Sequence, residues 1–184
     1  MRAPAPTEEE FAALYRATAT DLFAYVRRRY AGDAEDVVAE TYAVAWRRRG
    51  SMPAPVHRRA WLFGVARVLL AAQQRRDHGD SALASELARQ PDAVAAAPPS
   101  AGRLGAITDA VERLPAAERE ALRLAMWEGL TAGEVAVALG IRPGTARVRL
   151  HRARRTLARD PEVRALIEGP DPGPLARVSA TGAG

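Results

Sequence analysis

The residues that decide the fold of this chain are TAGEVAVALGIRPGTARVRLHRARRTL, at positions 131–157. Thr131 and Glu134 have the spacing of a capping box, which predicts that a short helix begins here. Gly140 can take the left-handed conformation that ends such a helix, and Pro143 suits the first turn of another. Two helices joined by a tight glycine turn predict a helix-turn-helix.

The second of these helices has one apolar face and one basic face. Because successive residues are about 100° apart around a helix, one stripe of side chains is predicted to be buried. The stripe consists of Ala146, Leu150, Ala153 and Leu157. Seven arginines and no acid fall between Arg142 and Arg159. The pattern predicts a recognition helix whose N-terminal half enters the major groove while later arginines hold phosphates. The candidate DNA-binding residues are Thr145, Arg147, Val148, Arg149, His151, Arg152 and Arg155.

The rest of the chain is also predicted to be helical. Apolar residues recur at helical rather than alternating spacing, which predicts an all-α fold. A capping box at Thr7 and a cap at Asp33 predict the starts of the first two helices. Tyr15 is one of the apolar residues that recur at helical spacing in the first helix, and Met126 is among the side chains predicted to face the core of the second domain. The predicted helices are 7–31, 33–49, 58–76, 104–114 and 115–128, with one more turn at 162–167.

Breaks rich in Gly and Pro divide these helices into two groups. The predicted organisation is two small helical domains, 7–78 and 104–160, joined by a flexible linker over 79–103. The segment 161–184 is predicted to be a disordered tail, apart from the one helical turn. The Pro-Gly-Ala composition of the linker cannot bury enough surface to order itself.

Composition and charge narrow the function. The chain has 184 residues, a net charge of +5 and a pI near 10.5, which favour a nucleic acid as partner. It has no cysteine, which excludes disulfides and thiol catalysis. Its three histidines lie far apart and no phosphate-binding loop is present, so neither an enzyme, a metal site nor a cofactor is predicted. No signal peptide or membrane-length apolar run is found, so a cytoplasmic protein without membrane insertion is expected.

Two sets of sequence blocks resemble the sigma-70 family of bacterial RNA polymerase sigma factors, in its extracytoplasmic-function (ECF) group. The blocks similar to conserved region 4 are 114–115, 128–131, 134–136, 139–140 and 144–154. Those similar to conserved region 2 are 33–42, 45–47, 59–63 and 66–67. A helix-turn-helix alone would not identify a family, because many DNA-binding proteins contain one. The region 2 blocks followed by the region 4 blocks, at this separation in the chain, make the resemblance to sigma factors specific.

The resemblance implies a role for each region. In region 2, the second helix would bind the β′ subunit of core RNA polymerase, with Asp36, Ala39 and Glu40 as candidate residues. The third helix would bind the −10 element of promoter DNA and hold a flipped base. The candidates for this role are Arg58, Arg59, Trp61, Phe63 and Arg67, although Trp61 also suits core packing. Region 4 would read the −35 element and contact the β subunit, and an anti-sigma factor is a further partner that the family implies.

Two other functions compete with this interpretation. A stand-alone helix-turn-helix transcription regulator would carry a sensory N-terminal domain. Such a domain does not need residues 33–67, which resemble region 2, so this segment argues against a regulator. An adaptor that binds polymerase without DNA does not need the seven arginines between Arg142 and Arg159, which no acid in that segment balances. This segment therefore argues against an adaptor. We therefore expect a sigma factor that binds core polymerase and directs transcription initiation, with region 2 melting the −10 element and region 4 reading the −35 element.

Overall fold

The computed structural model describes residues 4–88 and 103–168. Every regular element in these two ranges is helical, which confirms the all-α prediction. The helices are α1 Glu8–Arg27, α2 Ala34–Arg47, a 3₁₀ turn Arg49–Ser51, α3 Pro55–Ala88, α4 Arg103–Glu112, α5 Ala116–Trp127, α6 Ala132–Leu139, α7 Pro143–Leu157 and α8 Pro161–Glu168.

Both predicted caps in the first half of the chain are present. The Glu10 backbone N–H donates to Thr7 Oγ1 at 3.2 Å, and the Thr7 N–H donates to Glu10 Oε2 at 3.3 Å. Asp33 Oδ1 accepts from the backbone N–H groups of Glu35 and Asp36 at 2.8 and 3.2 Å. These bonds satisfy amide groups that a helix leaves without partners in its first turn.

The bounds of α3 differ from the prediction at both ends. The helix begins at Pro55 rather than near 58, because proline fits the first turn of a helix and needs no amide partner there. It continues to Ala88, through the first part of the range predicted to be a linker, where alanine and leucine favour helix. Residues 89–102, the rest of that range, lie outside the described residues.

A first compact unit contains α1, α2 and α3 together with the end of α5, α6 and the start of α7. Its core is formed by large apolar side chains from α1 and α3, with Tyr25 and Phe63 in edge-to-face contact at 5.2 Å between ring centroids. Tyr15, which belongs to the helical apolar pattern of α1, is half exposed. The buried residues of α1 include Thr18 and Leu22, and the Tyr15 ring lies 4.7 Å from the Tyr42 ring.

Within this unit α3 and α6 approach each other at backbone distance. A Cβ atom placed on Gly64 would lie 2.7 Å from the carbonyl oxygen of Ala138. A real side chain at this position would collide with the backbone of α6, so the absence of a side chain at Gly64 permits the contact. Val135 and Ala138 of α6 are buried.

The second compact unit contains α4, most of α5, the larger part of α7, and α8. Helices α4 and α8 pack together, with Val111, Leu122 and Val163 among the buried residues. Met126 was predicted to be buried but is half exposed; Leu124 is buried instead. The predicted turn at 162–167 lies inside α8, and residues 169–184 lie outside the described residues.

Candidate nucleic-acid interface

The helix-turn-helix has the local geometry that the sequence predicts. The Glu134 N–H donates to Thr131 Oγ1 at 3.3 Å, and the Thr131 N–H donates to Glu134 Oε2 at 2.9 Å. Gly140 has a φ of 64° and a ψ of 36°, the left-handed conformation that ends α6. The Ile141 N–H then donates to Ala136 O at 3.0 Å, which closes the turn before α7.

The carboxyl group of Glu134 is held in its charged form. Burial alone would raise its pKa, but hydrogen bonds from the backbone and side chain of Thr131 lower it, as do the nearby charges of Arg59 and His57. The net result is a pKa below the usual value for a glutamate. The positive N-terminal end of the α6 dipole also stabilises a charged carboxylate at this position.

Helix α7 presents the predicted basic surface. Ala146, Leu150 and Ala153 are buried, as predicted, while Leu157 is half-buried. The outward side chains are Thr145, Arg147, Val148, His151, Arg152 and Arg155, all exposed, with Arg149 half-buried. Among the residues that the structure describes, none forms an ion pair with an arginine of α7. The charge of this surface is therefore free to attract an anion such as DNA phosphate.

A separate acidic surface lies on α2. Asp36, Ala39 and Glu40 are all exposed and lie along one side of the helix. They line one open groove, whose remaining walls are Tyr30, Asp33, Val37, Ala43, Leu69, Gln73 and Arg76. Glu40 Oε1 pairs with Arg47 Nη2 at 2.8 Å on the surface. The three residues predicted to contact polymerase are thus neighbours in a groove accessible to a partner.

The five predicted −10 residues do not form one exposed surface. Arg58 is buried, and its guanidinium lies 3.4 Å from Glu10 Oε2 and 3.4 Å from Pro4 O. Phe63 is also buried and belongs to the core in this conformation, so it offers no face to a base. Trp61 and Arg67 are half-buried, and Arg67 Nε is buried without a hydrogen-bond partner.

Arg59 connects α3 to the segment just before the helix-turn-helix. Its Nη2 donates to Asp21 Oδ2 at 3.0 Å and to the backbone oxygen of Glu128 at 2.8 Å. The guanidinium also lies over the ring of Phe63, at 5.1 Å from the centroid. The Nη2 group of Arg59 is therefore already hydrogen-bonded inside the first unit.

A buried ion-pair cluster was not predicted from the sequence. Glu128 is 4% exposed, and its carboxylate lies 2.7 Å from Arg28 Nη2 and 3.3 Å from Arg29 Nη1. Arg29 also stacks on Tyr25, with its guanidinium carbon 3.9 Å from the ring centroid. We call Arg28, Arg29 and Glu128 the Glu128 cluster. A buried carboxylate that is paired in this way contributes to fixing one arrangement of helices.

Two classes of site are not found in the part of the chain that the structure describes. Across residues 4–88 and 103–168, His, Asp and Glu side chains form no group that could hold a metal ion. No helix in these ranges is long and apolar enough to cross a membrane.

Comparison with known proteins identifies relatives of this chain. A family model described as sigma-70, region 4, matches residues 104–157. The chain is 37% identical over 156 residues to the ECF RNA polymerase sigma factor SigL of Mycobacterium tuberculosis, covering 79% of this chain and 85% of SigL. It is 32% identical over 169 residues to the ECF RNA polymerase sigma factor BldN of Streptomyces coelicolor, covering 86% of this chain and 62% of BldN.

A solved structure shares this fold. The sigma factor RpoE from Bartonella quintana, determined in complex with the anti-sigma factor NepR, is 25% identical to this chain. The two superpose with a TM-score of 0.59 over 89% of this chain and 99% of that one.

Proposed function

Because the chain belongs to the ECF group of RNA polymerase sigma factors, we propose that the groove on α2 and the basic face of α7 are its polymerase and promoter surfaces. The protein binds core RNA polymerase and directs promoter recognition and transcription initiation. Residues 7–78 act as region 2 and residues 104–160 as region 4. The observation that carries the proposal is an α7 surface with exposed, unpaired arginines in the same chain as an exposed acidic groove.

The groove on α2 supplies the contact to the β′ subunit. Asp36 and Glu40 place two carboxylates on its rim, and Ala39 between them leaves room for a partner side chain to approach. Carboxylates at the edge of an interface steer a basic partner and fix its orientation. The polymerase surface that fits this groove therefore carries cations.

The exposed face of α7 supplies the contact to the −35 element. Thr145, Val148 and Arg152 lie where the N-terminal half of a recognition helix meets base edges. Arginine donates two hydrogen bonds to guanine, whereas Val148 offers only an apolar contact to a thymine methyl group. Arg155, one turn further along, suits a phosphate, so it contributes affinity rather than sequence preference.

The −10 contact is assigned to Arg59, Trp61 and Arg67 of α3, which are all half-buried rather than fully buried. These residues supply two guanidinium groups and one aromatic ring, the kinds of side chain that bind a single strand by charge and stacking. Arg58 is left out of the proposed contact because it is buried and paired with Glu10. Phe63 is left out of the proposed contact because its ring is 1% exposed.

We infer two further properties from the similar proteins. RpoE was solved with the anti-sigma factor NepR, and an anti-sigma factor is accordingly proposed as a partner of this chain. The protein works in the cytoplasm, where bacterial RNA polymerase transcribes. The chemistry of RNA synthesis belongs to the polymerase, and no catalytic residue is assigned to this chain.

The test is run-off transcription with purified core RNA polymerase and the full chain. We expect promoter-specific transcripts that depend on the added chain and that Asp36→Arg abolishes. Arg16→Ala, on an exposed part of α1 outside the proposed surfaces, is the control and should leave transcription unchanged. Tight binding to duplex DNA without polymerase, together with no transcript from any promoter, would identify a stand-alone regulator instead.

A further inference from the structure

We propose that Arg113 and Asp160 are positioning residues for the −35 contact, because they hold the last turn of α7 to α4 and leave its DNA-facing arginines free. We call Arg113, Asp160 and Glu162 the Arg113 clasp. The inference rests on the proposed function of α7. It assigns a role to α8 and to the turn before it, which lie beyond the residues that match the region 4 family model.

The basic surface of α7 weakens the helix that carries it. Arg149, Arg152 and Arg155 follow one another at intervals of three residues, so neighbouring guanidinium groups repel each other along one side of the helix. The sequence of α7 contains no acid that would relieve this repulsion, and such an acid would also occupy the groups that must bind DNA. The last turn holds Arg154 and Arg155, and helix ends fray. Support for this turn must therefore come from outside the basic surface.

A hydrogen-bonded turn connects the end of α7 to Asp160. The Ala158 N–H donates to Arg154 O at 2.9 Å, and the Asp160 N–H donates to Leu157 O at 3.0 Å. These bonds use carbonyl groups that the end of a helix otherwise leaves without partners. The backbone of Asp160 is therefore tied directly to the last turn of α7.

The carboxylate of Asp160 joins this turn to two other helices. Its Oδ1 accepts from the backbone N–H groups of Glu162 and Val163 at 3.0 and 3.3 Å, which caps the start of α8. Its Oδ2 accepts from Arg113 Nη2 at 2.8 Å, and Arg113 directly follows α4. The hydrogen bond from Arg113 lowers the pKa of Asp160, so the carboxylate stays charged. One side chain thus ties the end of α7 to the start of α8 and the end of α4.

Arg113 also binds the first turn of α8. Its Nη2 lies 3.0 Å from Glu162 Oε2, and the hydrogen bonds from Asp160 and Glu162 raise the pKa of Arg113. Helices α4 and α8 pack together, and Val163, which follows Glu162, is buried. The clasp therefore lies beside an apolar contact that keeps α8 on α4, and through Asp160 it extends this contact to the end of α7.

The clasp has two effects on DNA binding, and they have opposite signs. Asp160 and Glu162 are the first acids after the seven arginines that begin at Arg142. By charge alone, removal of either acid should tighten binding to a polyanion. By position, loss of the clasp lets the last turn of α7 fray and moves Arg155 away from its phosphate. The positional effect is the larger one, so removal of Asp160 weakens binding to DNA.

The test measures binding of the holoenzyme to a promoter that the parent transcribes, at several salt concentrations. Asp160→Ala should weaken binding by about two- to fivefold, the range that an exposed ion pair can transmit. It should also lower the salt dependence by about one counterion, because the phosphate contact of Arg155 is lost. Asp109→Ala is the matched control, since it removes an exposed acid of α4 outside the clasp and should not weaken binding.

Arg113→Gln breaks the clasp from the α4 side and leaves the cap of α8 in place. It should weaken binding by a similar factor, and Arg113→Lys, which keeps the cation, should restore most of the loss. Arg119→Gln removes an equal charge from α5 and is the control for this pair, because Arg119 lies beside Glu112 rather than α8. A smaller loss in Arg119→Gln than in Arg113→Gln separates position from net charge.

Amide hydrogen exchange of the free chain reports the clasp without DNA. Residues 154–160 should exchange faster in Asp160→Ala and in Arg113→Gln, while circular dichroism shows that the total helix content is retained. Unchanged or tighter binding by Asp160→Ala would overturn the proposal, as would equal losses in Arg113→Gln and Arg119→Gln. If the parent holoenzyme binds no promoter, the proposed function is wrong and the positioning role with it. If the parent binds and only the variants depart from these expectations, the positioning role alone is wrong.

Discussion

Glu128 and Arg28 are 100 positions apart in the sequence, yet Glu128 Oε2 lies 2.7 Å from Arg28 Nη2. Glu128 stands between α5 and the helix-turn-helix, and Arg28 is the C-terminal cap of α1. The bond therefore connects the segment that precedes the DNA-reading helices to the first helix of the chain. The backbone oxygen of Glu128 accepts a second bond, from Arg59 Nη2 on α3 at 2.8 Å.

Removal of the carboxylate should cost stability. Glu128→Ala leaves Arg29, whose side chain is only 10% exposed, without its anion. We expect a loss of about 1–3 kcal/mol in the free energy of unfolding, because a buried charge is then uncompensated. Urea denaturation followed by circular dichroism measures this change. Glu40→Ala is the control, since its pair with Arg47 is exposed and should contribute less than about 1 kcal/mol.

The capping box of α6 should make stability depend on pH. Because the folded pKa of Glu134 lies below its ordinary value of 4.5, its charged form stabilises the fold above that pH. This contribution is lost as the pH falls from about 4.5 through the folded pKa. Glu134→Gln should flatten this part of the stability profile, measured as Tm between pH 3 and pH 6. A variant profile parallel to that of the parent would contradict the assigned role.

The acidic groove on α2 should be sensitive to charge reversal. Asp36→Arg puts a cation in the groove and should weaken binding to core polymerase by about tenfold or more. Glu35→Arg is a closely matched control, because Glu35 is also an exposed acid in the first turn of α2 but does not line this groove. Co-migration of each variant with core in native gels distinguishes them. Equal losses would place the polymerase contact elsewhere.

The elements that the sequence predicted well are those with local causes. The Thr131 capping box, the Gly140 turn and the buried stripe of α7 each depend on residues a few positions apart, and all three are present. The prediction that Met126 is buried was wrong, because Leu124 faces the core and Met126 faces outward. The two residues are about half a helical turn apart, and apolar periodicity alone does not decide which of them is buried.

The relations that the sequence did not predict depend on contacts between distant segments. Nothing near Glu128 in sequence marks Arg28 and Arg29 as its partners. Phe63 and Arg58 were chosen for their chemistry, and only tertiary packing shows that both are buried. The proposed −10 contact is therefore limited to Arg59, Trp61 and Arg67, whereas the residues proposed for α7 stay the same.

The recognition helix permits a separation of base contacts from phosphate contacts. Arg152→Ala should cost about 1–3 kcal/mol in promoter binding by the holoenzyme, and mainly on promoters with the preferred −35 base. Arg155→Ala should weaken binding to all sequences alike and reduce the salt dependence by about one counterion, because it removes a phosphate contact. Both variants replace an exposed arginine of α7 by alanine, so they remove the same charge from the same helix. Filter binding at several salt concentrations, on a preferred and a substituted −35 element, measures both effects. If the two variants lose affinity equally on the two templates, Arg152 contacts phosphate and the sequence preference lies with Thr145, Val148 or Arg149.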